Sequence, residues 1–338
     1  MISLTTTLAL VHGLHLAATL SLLGTVGFIA WVLPAAAADG GGVVNSLIRL
    51  WWVSGLLALS VGVAWFVFQT ATIAGAADLN EIIVAMPVIA EHTRYGHVVL
   101  TRLVLLLVAT LLAGGSWFRL YPALVLITVA LGLQGLIGHA GAMGGGIGAG
   151  LLASESLHLL AAGLWLGALT PLWLCLGRLP AGAAAGVCER FSPIGLGCVL
   201  VIAGTGLAQG IELIGGLPGL VGTHYGQIAL LKVALFLAAL ALAALNRLRL
   251  TDRLSTAAAT ARKRLRLSVS CETLVGLAII LVAAFLASSM PATHETPIWP
   301  FSWRPSLDVL SDPYGRRQVL SILLPSAIAA ALVMVGLL

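Results

Sequence analysis

The stretch Gln227–Leu248, reading QIALLKVALFLAALALAALNRL, decides the fold. Its apolar run matches the roughly 20 residues that a helix needs to cross a hydrocarbon core. A helix satisfies its own backbone there, where lipid offers no partner. Behind it come Arg247, Arg249, Arg253, Arg262, Lys263, Arg264 and Arg266, opposed only by Asp252. Basic residues gathered in one short loop mark the cytoplasmic side of a membrane protein.

Working outward, eight further segments share this character. They are roughly Leu4–Leu33, Val44–Thr72, Val98–Leu120, Pro122–Ile137, Leu151–Leu176, Phe191–Leu213, Leu267–Leu286 and Val319–Gly336. The fourth span, Pro122–Ile137, is the weakest, because little beyond Arg119 and Tyr121 separates it from the third. The chain reads as an all-α polytopic membrane protein with about nine transmembrane helices. Composition agrees: 60% of residues are hydrophobic and 9% charged, against about 25% charged in a soluble domain. The net charge of +5 resides largely in one loop, so it points to membrane topology and not to nucleic acid. Cys175, Cys188, Cys198 and Cys271 have no CxxC spacing and do not form a disulfide framework.

Counting from the basic loop places the N-terminus outside and the C-terminus inside. The loops with Arg49, Arg119, Arg178 and Arg190 then fall inside, and the acidic loop with Asp78, Glu81 and Glu91 falls outside. The loop after span eight is outside despite Arg304, Arg316 and Arg317. On this map all eight histidines lie on or near the outer side: His12, His15, His92, His97, His139, His158, His224 and His294. Met86, Met143 and Met290 join them, and the cysteines fall at the opposite end.

An internal repeat organises the spans. His15 to Gly24 resembles His158 to Gly167, at an offset of 143. Tyr95-Gly96, followed by Arg102, resembles Tyr225-Gly226, followed by Lys232, at an offset of 130. Spans one and five match, as do three and seven, and matching spans cross in the same direction. The expected organisation is a first four-helix repeat over 1–140 and a second over 141–290. An outer loop over 291–318 and a ninth helix over 319–338 follow. Parallel repeats of this kind place binding sites at the repeat interface.

A polar side chain within a span is costly without a partner and marks function by default. His15 and His158 are the sharpest pair, expected at similar depth on facing helices. His12 shares the helical face of His15, and Glu155 stands three residues before His158 to orient its imidazole. His139 with Met143, and Met290 with His294, each offer an imidazole beside a thioether. Imidazole suits copper and thioether favours Cu(I). His92, His97 and His224 are candidate outer capture ligands. Arg102 and Lys232 are expected to snorkel outward, to pair with Glu155 or Glu212, or to hold an anionic group. Trp165, Trp299 and Trp303 read as packing and interfacial anchors. Nothing resembles a P-loop, HExxH or a Ser/His/Asp set.

Several segments together resemble the CopD/PcoD family of bacterial copper-resistance membrane proteins. They are His158 to Gly167, Phe191-Ser192, Thr223 to Gly226 with Lys232, Ala244 to Arg249, and Met290 to His294 with Trp299 to Arg304. The resemblance covers most of the chain, most clearly residues 150–305. It implies a multi-pass protein of the bacterial inner membrane that moves copper, usually inward from the periplasm. A soluble periplasmic CopC-like copper carrier is the implied partner. His15, His139 and His158 occupy matching motif positions and are carried over as candidate copper ligands. The expectation is therefore a transporter, not an enzyme. The alternative is a membrane oxidoreductase holding haem b between two histidines, a cupric reductase or a quinone-linked carrier.

Overall fold

In the computed structural model, residues 4–34, 42–114, 117–138, 141, 144–251 and 258–302 are described. Among them eight helices are long and apolar enough to cross a membrane, and none of the described residues forms a strand. The ninth expected span, 319–338, lies outside the described residues, as do His139, Met143 and the Arg304–Arg317 segment.

The helices run α1 Leu4–Gly27, α2 Gly42–Ala74, α3 Leu79–His92, α4 Arg94–Leu111, α5 Leu120–Gly132 and α6 Gly145–Trp165. They continue with α7 Leu169–Arg178, α8 Ala181–Ile214, α9 Leu217–Gly222, α10 His224–Leu245 and α11 Ala258–Ala287. A 3₁₀ turn over Leu133–Ile137 extends α5, so the weakest expected span reaches 18 residues, Leu120–Ile137. A second 3₁₀ turn, Leu166–Ala168, joins α6 to α7 within one span, Gly145–Arg178.

The loop expected after span two is largely helical: α3 fills it, capped by Asp78, whose side chain accepts from the Glu81 amide at 2.9 Å. Ile83, Val84 and Val88 on this short helix are exposed, as suits a segment lying along an interface.

α1 is the most buried span and packs against α2, α5, α6 and α11. The pairings follow a pattern: α1 with α2 and α6 with α8; α4 with α5 and α10 with α11; α5 with α6 and α11 with α1. The sequence-matched turns also fold alike. Thr93 accepts from the Gly96 amide and donates to the Ile89 carbonyl, at 2.9 and 2.7 Å. Thr223 accepts from Gly226 and donates to Gly219, at 3.0 and 2.6 Å. Each turn brings a carbonyl so close to its glycine that a Cβ on Gly96 or Gly226 would strike it.

The two halves touch where small residues allow it. Cβ atoms built on Gly24 and Gly167 would collide with the opposing backbone, and one on Gly163 would meet Leu23 at 2.8 Å. Gly163 and Gly167 form a GxxxG pair, the spacing that lets membrane helices approach closely.

Candidate functional site

By position along the spans, the described histidines all fall in the half of the bundle where α1 begins. There a cavity of about 480 Å³ opens between the two halves. His12, Tyr95 and Gln134 line it from the first half, and Glu155, His158, Tyr225 and Lys232 from the second.

His158 lines this cavity with its Nδ1 committed to a neighbour. The Thr205 hydroxyl donates its proton to the Val201 carbonyl at 2.6 Å. It therefore accepts from His158 Nδ1–H at 2.9 Å, which leaves Nε2 unprotonated. Gln209 donates to Ser154 at 3.4 Å, and Ser154 to the Thr205 carbonyl at 3.2 Å, which braces this arrangement.

His15 is bound differently. Its Nδ1 donates to the Ala58 carbonyl at 2.8 Å, and its Nε2 accepts from Arg102 Nη2 at 3.3 Å. Both ring nitrogens are engaged, and His15 is buried behind the cavity wall. Gly62 makes room for the ring, since a Cβ there would meet Nδ1 at 2.8 Å. The expected facing pair is thus replaced by His12 and His158, which share the cavity.

His12 stacks on Trp65, with centroids 4.4 Å apart and planes 12° apart. Gln134 Nε2 donates to His12 Nε2 at 3.1 Å. Gln134 Oε1 is buried without a partner. Turning that amide over would let His12 donate to Oε1 and would free Nδ1 as a ligand.

Arg102 does not snorkel. It is 1% exposed, donates Nε to the Ala130 carbonyl at 2.8 Å, and lies over Trp65 at 5.8 Å. Lys232, its counterpart in the repeat, lines the cavity with Glu155. The Glu155 carboxylate lies against Gly135 and Gly138, where an added side chain would crowd it. The offset of 143 makes Glu155 the counterpart of His12. Equivalent positions thus carry a base in one half and an acid in the other.

The other candidate ligands stand apart from the cavity lining. His92, His224 and His294 are exposed, as is Met290. His97 is exposed with Nε2 against the Glu91 carbonyl at 2.8 Å. Among the described residues no group of three or more His, Cys, Asp or Glu side chains is placed to hold a metal ion.

Sequence reasoning missed four contacting side chains: Trp65 and Gln134 beside His12, Thr205 beside His158, and Glu272 beside Trp165. Gln134 and Glu272 carried a signal, being polar within apolar spans. Trp65 and Thr205 carried none, because stacking and hydroxyl geometry depend on which helices meet. Trp165 packs in the core, as expected, and its indole also donates to Glu272 at 3.1 Å.

Comparison with known proteins matches two parts of the chain. The model of the copper resistance protein D-like N-terminal domain matches residues 1–151, and that of copper resistance protein D matches residues 185–286. The chain is 33% identical over 155 residues to "Copper transport protein CutJ" of Bacillus subtilis, covering 44% of this chain and 26% of that protein. It is 28% identical over 207 residues to "Inner membrane protein YebZ" of Escherichia coli, covering 59% of this chain and 70% of that protein. The chain thus spans about a quarter of the first relative's length and most of the second's. No solved structure matches significantly. With eight helices long and apolar enough to cross a membrane among the described residues, and both family domains in order along the chain, this polypeptide belongs to the copper resistance protein D family.

Proposed function

We propose that this protein carries copper across the bacterial inner membrane, inward from the periplasmic side, with copper as cargo and not as a resident cofactor. The observation that carries the reading is that His158, its Nδ1 held by Thr205, lines a cavity that His12 also lines. Imidazole is a good copper ligand. A site of two imidazoles with one carboxylate nearby is sparse, and sparse ligation suits an ion that must leave again. The Copper transport protein that the chain resembles in part supports the same cargo.

In this reading the histidine end faces the periplasm and the basic end, with Arg247 and Arg262–Arg266, faces the cytoplasm. His92, His97, His224, His294 and Met290 are exposed and serve in this reading as capture groups for copper delivered by a CopC-like carrier. His139 and Met143, close to Gly138 in sequence, are assigned the same role in this reading. His15 takes a supporting role, holding Arg102 in place.

The haem b reading required axial bonds from His15 and His158. With both its nitrogens engaged, His15 offers no lone pair to iron, so the copper reading is preferred.

Copper uptake into proteoliposomes tests the proposal. His158→Ala and the His12→Ala/His158→Ala double variant are expected to lose uptake while remaining folded. Uptake equal to wild type in the double variant sinks the reading.

A further inference from the structure

Below the histidine cavity lies a second one, of about 550 Å³, in the half of the bundle that carries the basic residues. The span of α6 and α7 connects the two. His158 faces the upper cavity and Trp165 the lower, seven residues on, a separation of about 10 Å along a helix.

The lower cavity is built around Glu272 of α11, which is 2% exposed. Its carboxylate accepts from Trp165 Nε1 at 3.1 Å and from Asn246 Nδ2 at 2.8 Å. Both donors are neutral. The charged groups that share the lining are Glu189 from α8 and Arg247 from the turn after α10; α6 and α7 contribute none. The remaining polar neighbours are Cys188, Ser192 and Thr251. An ionised carboxylate in such a place is costly unless it takes up a cation.

The geometry suits a proton better than a metal. Both carboxylate oxygens already hold a donor, and a third His, Cys, Asp or Glu ligand is absent among the described residues. Asn246 can serve both forms of the acid. Ionised Glu272 accepts from Asn246 Nδ2, while Asn246 Oδ1 stays buried without a partner. Protonated Glu272 would instead donate its new O–H to Asn246 Oδ1 once the amide turned over. Phe191-Ser192 and Asn246-Arg247, conspicuous in the sequence and without a role in the histidine cavity, line this one together.

We propose that Glu272 is an intramembrane proton-exchange site, taking up one proton from water at the basic end and releasing it toward the histidine cavity as copper passes the other way, with Asn246 accommodating both forms. Its use rests on the transport reading above: proton exchange at Glu272 is coupled to passage of copper through His158. The cavities are then two stations of one carrier, one for the cargo and one for the coupling ion.

Infrared difference spectroscopy on the purified full-length protein, stepped in pH, tests the site without copper. A carboxylic-acid C=O band that shifts on deuteration is expected in wild type and in His158→Ala. It should be lost in Glu272→Gln and displaced in Asn246→Leu. In proteoliposomes carrying an internal pH dye, Cu(I) uptake should move protons in wild type and not in Glu272→Gln. A band unchanged in Glu272→Gln overturns the inference, as does proton movement equal to wild type in that variant. If Glu272→Gln does not fold, Trp165→Phe replaces it: removing the indole donor should displace the band, and an unmoved band in both Trp165→Phe and Asn246→Leu overturns the inference. If the band behaves as expected while wild type moves no copper, the transport reading fails and the proton site stands.

Discussion

Gly24 and Gly167 meet backbone to backbone where α1 crosses the span of α6 and α7. They are also the residues that the internal repeat equates, each nine positions after its histidine. Equivalent residues of two related halves touch only near the axis that relates the halves. For halves related as the repeat predicts, this contact marks where that axis would run.

Nothing can be added at this crossing. Gly24→Ala is expected to lower stability by about 1–3 kcal/mol, the cost of overpacking a filled interior. Gly197→Ala, where an added Cβ meets nothing within 4 Å, should have no measurable cost. Thermal unfolding in detergent followed by circular dichroism compares the two, and equal midpoints would contradict the crossing.

The two intramembrane histidines should separate by phenotype. His15→Ala removes the partner of a buried arginine and is expected to cost about 1–3 kcal/mol of stability. His158→Ala should leave the unfolding midpoint close to wild type and abolish copper uptake. A loss of copper binding in both variants with unchanged stability in both would reverse the roles assigned here.

Thr205 fixes the tautomer of His158 without facing the ion. Thr205→Val keeps the shape of the side chain and removes the acceptor for Nδ1–H. Orienting groups of this kind are worth about 10- to 100-fold in metal affinity. Thr205→Ser should restore it. Calorimetric titration with Cu(I) measures the series, and wild-type affinity in Thr205→Val would remove Thr205 from the site.

Arg102→Lys should behave as a severe change. The guanidinium donates to Ala130 and His15 from two nitrogens at once, which an ammonium cannot reproduce with the same geometry. A drop in midpoint comparable to that of His15→Ala is expected, and the double variant should be less destabilised than the sum of the two.

Much of this architecture could be read from the chain. Apolar runs and the Arg262–Arg266 cluster located the spans, because a bilayer imposes length and charge rules that a soluble core does not. The concentration of histidines at one end followed from that map. The partners of each histidine did not. His12 and His15 lie on the same face of α1 one turn apart, yet one meets Trp65 and Gln134 while the other meets Ala58 and Arg102. That difference depends on which neighbouring helix reaches each ring, and helical periodicity carries no record of neighbours. Glu272 was legible in principle, as an acid within an apolar span, but its company of Trp165 and Asn246 comes from two other helices.

The 3₁₀ turn over Leu166–Ala168 has a mechanical consequence. A 3₁₀ helix is wound more tightly than an α-helix and rises further per residue. Rewinding these three residues as α-helix would shorten the span by about 1.5 Å and rotate α7 by about 60° relative to α6. Such a turn works as a screw thread set between the two chambers, in which advance and rotation are locked together. Any displacement of His158 along the membrane normal would then be delivered to Cys175 and Leu172 below as torque.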